Sequence, residues 1–420
     1  MKSSLLSLFA VGISLQAIPA SLAEENKIFT LTPPKETERT YFSSLKPKSP
    51  MPMLQSLPNS SYATSMESYR LRPGVKLPKG RESLSSNIVE PSNYGKTKYS
   101  YTTAVVKPLS SPKKKDLNNV ATSARPYLTA GKLWMRKGGR WFICSGSLIG
   151  KGVVATAAHC IANWGGGSSS IASTVYFIPA ATKNNSIASN AGPIGTWGVK
   201  KIVLPGCYTA GTCANTAGGV ISSNDLALLV LDGPVKNLPF AKGAGTYGYG
   251  WNGYGFTTGN KFINRSKKLG QITQLGYPAA LGDTSRNRGG AMMRTDSMAV
   301  YYQPVKNVKN FIWGSQQTGG SSGGPEITNF GRKPNISASA GGGYRKLRNI
   351  LVGVTSWGYT DKNQQVQGAS WFGQNKEYPK SQYKDSANKN WGAGNIGSLM
   401  RTVCGKGTGN LNLNSNYCGY

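Results

Sequence analysis

Histidine is all but missing from this chain: His159 is the single one in 420 residues. That excludes histidine-rich metal sites and leaves one side chain that ordinarily titrates near neutral pH. Acidic residues are scarce too, with 16 Asp+Glu against 49 Lys+Arg, for a net charge of +33. A field of that sign attracts polyanions such as nucleic acid, acidic wall polymers or an anionic surface, or simply keeps an exported protein soluble. No run beyond the first 23 residues is apolar enough to cross a membrane. Cysteine, tryptophan and histidine are all absent before Arg125, so any disulfide framework belongs to the later part of the chain.

What is present divides the chain in three. Lys2, the apolar "LLSLFAVGISLQAI" and the small-x-small Ser21-Leu22-Ala23 read as a secretory signal over 1–23, with Glu24 next after cleavage. Export, to the extracellular space or a periplasm, is the expectation. Residues 24–126 hold 12 of the 23 prolines and few long apolar periods. Such a segment buries too little to offset chain entropy and reads as an extended or partly ordered pro-region. The run "SPKKKD" (111–116) is a candidate processing site.

From Tyr127 to Tyr420 the pattern changes to short β-branched and aromatic runs, such as "RWFICSGSLIG", "GVVATAAH", "DLALLVL" and "ILVGVTSWG". Gly, Asn and Ser clusters separate them, and no long segment carries helical periodicity. This pattern predicts an all-β sandwich or barrel. The stretches 163–170 and 363–392 read as polar insertions.

The six cysteines fall in three local pairs: Cys144 with Cys160, Cys207 with Cys213, and Cys404 with Cys418. Six cysteines allow about fifteen connectivities, and nearest-neighbour pairing is the simplest. The lack of C-x-x-C argues against metal, and no organic cofactor is implied.

Three residues gain meaning together. His159 ends the apolar "VVATAAHC". Asp225 opens the apolar "NDLALLVL". Ser322 lies in "GGSSGGP", which alone could be a flexible linker. Serine catalysis needs a base within reach and an acid to orient that base. Glycines let a backbone turn sharply enough to aim two N–H groups at one oxyanion position.

On these motifs the segment 127–420 resembles the trypsin-like (chymotrypsin-fold) serine endopeptidases, most of all bacterial secreted members. "CSGSLIGKGVVATAAHC", "NDLALLVL", "GSSGGP" and "VTSWG" match the family's histidine, aspartate, nucleophile and substrate-strand segments. The resemblance implies two six-stranded antiparallel β-barrels and a triad of His159, Asp225 and Ser322. It also implies an oxyanion hole at Gly320 and Ser322, substrate contacts along Ser356, Trp357 and Gly358, and a disulfide joining Cys144 to Cys160.

Where this chain departs from the family, the expectations change. Gln316 stands where trypsin keeps a pocket aspartate, Thr355 where glutamyl endopeptidases keep a histidine, and Thr318 where a bracing cysteine is common. An uncharged residue before the cleaved bond is therefore expected. Ser321 replaces the aspartate that pairs with a new N-terminal ammonium, so activation by that ion pair is excluded. The reading is a secreted serine endopeptidase made as a proenzyme, acting on polypeptides. The alternative is a silent polyanion-binding protein on a protease scaffold. An esterase would need a G-x-S-x-G elbow in strand-turn-helix context, which is absent.

Overall fold

The computed structural model describes residues 25–33, 53–54 (backbone), 99–106, 122, 124–182, 191–235, 245–257, 268–281, 285–286 (backbone), 289–332, 341–344, 349–359 and 365–419. The expected signal peptide and the lysines 113–115 lie outside the described residues.

Two closed six-stranded antiparallel barrels make up the molecule. Around the first run Trp197–Pro205, Ala227–Leu231, Val153–Thr156, Arg140–Gly150, Ala130–Lys137 and Thr174–Pro179, which pairs back onto Trp197–Pro205. Val153–Thr156 and Ala227–Leu231 are buried at every position. Their unbroken apolar runs suit strands covered on both sides. Around the second run Pro325–Thr328, Leu269–Gly276, Met292–Tyr302, Asn310–Gly314, Val366–Ser370 and Ile350–Tyr359, which closes on Pro325–Thr328.

Three strands of the proline-rich segment join these barrels. Asn26–Thr30 adds to the edge of the first barrel against Trp197–Pro205. Tyr101–Val106 lies antiparallel to Met292–Tyr302, with Tyr101 and Val106 buried. Met53–Leu54 runs parallel to Gly358 and Tyr359.

Two features depart from the sequence reading. Val366–Ser370, "VQGAS", was expected within a polar insertion, yet it is buried throughout and closes the second barrel. Its small and amide side chains hide the strand, because they face an interior that is itself polar. Gly394–Cys404 is a helix where no helical period was expected. Ile396, Leu399, Met400 and Val403 follow the 3, 4 and 7 spacing of one helix face and are buried. The flanking glycines hide that face in the sequence. Cys404 at its end is bonded to Cys418; the other disulfides are Cys144–Cys160 and Cys207–Cys213.

Candidate active site

His159 sits on the one-turn helix Ala158–Ile161, directly after the strand Val153–Thr156. The Cys144–Cys160 disulfide ties that turn to the neighbouring strand. Asp225 lies just ahead of the strand Ala227–Leu231 and is buried. Because these two strands are paired, Thr156 facing Ala227, the turns that follow one and precede the other meet at the same end of the barrel.

There His159 Nδ1 lies 2.7 Å from Asp225 Oδ2, and the His159 backbone N–H donates to Asp225 Oδ1 at 2.8 Å. The Ser356 hydroxyl donates to Oδ2 at 2.6 Å. The Asp225 N–H donates to Ser370 Oγ at 3.0 Å. Burial alone would raise the Asp225 carboxyl. The neighbouring His159 ring, the hydrogen bonds from the ring and backbone of His159, and the Ser356 hydroxyl together outweigh it and hold the carboxyl below its ordinary value. Asp225 is thus an ionised, fully engaged acceptor that fixes the imidazole by Nδ1.

Lys137 Nζ donates to the His159 carbonyl at 2.8 Å. Burial draws this lysine down to about 8, although the Asp225 charge pulls the other way.

Ser322 belongs to the turn between Asn310–Gly314 and Pro325–Thr328. Gly320 (φ +100°) and Gly323 (φ +74°) take left-handed backbone there. At Gly323 a Cβ would come within 2.0 Å of Thr156 Oγ1 and 2.4 Å of the Ser145 carbonyl, so only glycine lets this turn press against the first barrel. Ser145 clamps it: its N–H donates to the Ser322 carbonyl at 2.7 Å and its hydroxyl to the Gly320 carbonyl at 2.8 Å. With both carbonyls held, the N–H groups of Gly320 and Ser322 donate no hydrogen bond among the described residues. Two free N–H groups on one glycine turn are what an oxyanion site requires.

Ser322 is fully buried, and its Oγ has no hydrogen-bond partner among the described residues. His159 and Asp225 are therefore paired, while Ser322 stands without a bond to the ring. His159 Nε2 lies 3.8 Å from Cys160 Sγ. Catalytic hydrogen bonds to a nucleophile are often formed only in the substrate complex. Cys144, His159 and Cys160 lie close together, but both sulfurs are committed to the disulfide and offer no thiolate to a metal.

The other expected substrate contacts differ in kind. Gln316 is half-buried. Ser356 is spent on Asp225. The Trp357 indole is buried and donates to Asn310 Oδ1 at 2.9 Å, so only its backbone could meet a substrate. The Gly358 backbone faces the Met53–Leu54 strand.

Sequence reasoning missed Ser145, Ser370, Lys137 and the buried amides Gln274 and Gln367. For Ser145 the signal was present, since it directly follows Cys144.

The chain matches the family model described as Trypsin over residues 116–370. No curated protein matches it. Among solved structures, the protease Anisep from Arthrobacter nicotinovorans aligns at 22% identity over 59% of this chain and 90% of its own, with a TM-score of 0.39. The thermostable serine protease AL20 from an extremophilic microorganism aligns at 20% over 59% and 92%, with a TM-score of 0.39. A Glu endopeptidase aligns at 19% over 59% and 86%, with a TM-score of 0.36.

Proposed function

Since the chain belongs to the trypsin family and is a serine endopeptidase, we propose that it is exported as a proenzyme and cleaves peptide bonds through a triad of His159, Asp225 and Ser322. The observation that carries the triad is the His159–Asp225 contact at 2.7 Å, in a chain with no other histidine. Ser322 Oγ attacks the scissile carbonyl while His159 takes its proton by Nε2. Asp225 keeps the ring oriented and stabilises the imidazolium. The N–H groups of Gly320 and Ser322 receive the oxyanion. His159 then protonates the leaving amine, and water repeats the sequence to release the acyl group. Ser322→Ala is expected to abolish labelling by a fluorophosphonate and nearly all turnover, whereas Ser321→Ala stays labelled. Labelling lost only in the Ser321 variant would put the nucleophile one residue earlier.

Proenzyme status draws support from the strand Met53–Leu54. It runs parallel to Gly358 and Tyr359, along the strand read as the substrate's backbone partner. A segment in that place covers the cleft, in keeping with the full burial of Ser322. The strand Tyr101–Val106 is different, because it supplies buried residues to the protease. We assign the protease domain to 127–420 and the pro-region to 24–126, with the first cut near Lys113, Lys114 or Lys115. N-terminal sequencing of the active secreted enzyme tests export and processing together. An active intracellular chain that still carries residues 24–98 would contradict both.

The charge suggests a second partner. Residues 127–420 carry 31 Lys+Arg and 8 Asp+Glu, 31 − 8 = +23. Retention on an acidic polymer that weakens steeply with salt is expected. Equal retention at low and high salt would remove the electrostatic basis. An uncharged residue before the cleaved bond remains the preferred specificity, and cleavage of a peptide library tests it. A clear preference for Lys, Arg or Glu at that position would overturn it.

A further inference from the structure

The Ser321–Ser322 turn must be held in shape by something other than an ion pair, because Ser321 carries no charge. One side of it is fixed by Ser145 of the first barrel. On the other side lies a chain of buried neutral groups inside the second barrel. Gln367, on the strand Val366–Ser370, donates from Nε2 to the Gln317 carbonyl at 2.7 Å and to Ser321 Oγ at 3.2 Å. Ser321 Oγ in turn donates to the Thr318 carbonyl at 2.8 Å. Gln367 therefore grips the nucleophile turn at both of its ends.

The direction of this amide is imposed. The Gln317 carbonyl can only accept, so Nε2 must face the turn and Oε1 must face inward. Inward, Gln367 Oε1 accepts from Gln274 Nε2 at 2.5 Å. The second proton of that nitrogen goes to Thr355 Oγ1 at 2.9 Å. Thr355 can accept there because its own proton is given to Glu326 Oε1 at 2.7 Å. Gln274 Oε1 is filled by the hydroxyl of Ser315 at 2.7 Å and the indole N–H of Trp313 at 3.4 Å. Turning either amide over would set acceptor against acceptor in a buried site, at the cost of unmade hydrogen bonds. The chain thus points one way, from the barrel interior to the turn.

We infer that Gln367 is a positioning residue for the reaction: its amide, oriented by Gln274, holds the 317–321 turn so that the N–H groups of Gly320 and Ser322 face the developing oxyanion. The inference rests on Ser322 being the nucleophile. It predicts an effect on the transition state and not on substrate binding, since the Gln367 side chain is buried and reaches the Ser322 turn only through Gln317 and Ser321. A small misplacement of such donors costs roughly a hundredfold in rate.

The test uses Gln367→Glu, nearly isosteric but without the two donors, and Gln367→Met, which keeps most of the volume. Both are expressed as the full chain and assayed after processing, with active sites counted by fluorophosphonate. The expected result is a fall in kcat of about tenfold to a hundredfold with KM within about twofold. Affinity for a peptide boronate, which forms a tetrahedral adduct, should fall in parallel, and affinity for an N-terminal-side peptide product should not. Ser321→Ala removes one acceptor, is the mildest change to fold, and should show the same split with a smaller loss. Wild-type kcat and boronate affinity in folded Gln367→Met and Ser321→Ala would overturn the inference, as would a loss confined to KM. Ser322→Ala keeps the two ideas apart: if it still labels, the nucleophile assignment fails; if it does not label while the Gln367 variants are fully active, only the positioning role fails.

Discussion

The two barrels divide the work and are built from different interiors. The first packs Val153, Val154, Leu228, Leu229, Val230 and their neighbours into the main apolar core, and contributes His159 and Asp225 from turns at one end. The second combines an aromatic part, with Phe256, Phe311, Trp313 and Trp371, and a polar part, with Gln274, Gln367, Thr355 and Glu326. Away from the His159–Asp225 pair, each also buries a group of opposite charge type. Lys132 of the first is fully buried, donating to the Gly289 carbonyl at 2.8 Å with the Trp134 ring 5.0 Å away, and burial brings it to about 7. Glu326 of the second is fully buried, and burial raises its carboxyl well above the ordinary value, against the smaller effect of the Thr355 hydrogen bond. The contrast teaches that the His159–Asp225 pair stands on turns at the end of an apolar barrel, with Ser356 and Ser370 of the second barrel holding Asp225, whereas shaping the Ser322 turn takes interior groups that can hydrogen-bond it.

The largest break in this comparison comes from the first barrel's acid. Asp225→Asn should lower kcat by about 10⁴-fold, because an amide whose oxygen keeps the His159 N–H turns its NH2 toward Nδ1, fixes the wrong tautomer and carries no charge to stabilise an imidazolium. Steady-state kinetics on protein with wild-type thermal stability checks this, and a loss under tenfold would mean that Asp225 is structural. Next in size is Lys132. Its folded value lies below the 10.5 of the free side chain. The unfolded chain therefore binds the extra proton between about 7 and 10.5, and wild-type stability rises with pH across that window. Lys132→Met should be the more stable protein below pH 7, by a few kcal/mol at most (~1.4 kcal/mol per pKa unit). The advantage should fade toward pH 10.5. Urea midpoints across pH measure it, and a flat difference would rule out a titrating lysine.

Glu326 sharpens the contrast with the opposite sign. Its folded value is raised, so its contribution is complete below the 4.5 of the free side chain and is lost as pH rises toward the folded value. Glu326→Gln should match wild type in acid and exceed it at neutral and alkaline pH, by about 1–3 kcal/mol. The same urea series reads both barrels, and equal slopes in the two variants would contradict the assignment.

How much of this was legible in the sequence follows from how local each signal is. His159, Asp225 and Ser322 each lie in a contiguous motif whose apolar or glycine neighbours mark the strand end or the turn. The all-β class was legible by the same route, through strands rich in Val, Leu and Ile, while the two barrels followed from the resemblance of the motifs to the trypsin-like family. The closing strand Val366–Ser370 was not, because a strand facing a polar interior loses its apolar alternation. Nor was the amide chain: Gln274 and Gln367 are 93 residues apart, and only barrel closure makes them neighbours. Met53–Leu54 and Tyr101–Val106 were hidden for a related reason. Each is short and adds to an existing sheet, so its partner's edge decides its structure more than its own composition does.

The account stands most directly on one serine. Wild-type enzyme, processed and treated with a fluorophosphonate, can be digested and the modified residue located by fragmentation mass spectrometry in the peptide spanning 318–327. The account predicts one adduct per chain, on Ser322. An adduct on Ser321 or elsewhere, or a fully active enzyme that takes none, would contradict it.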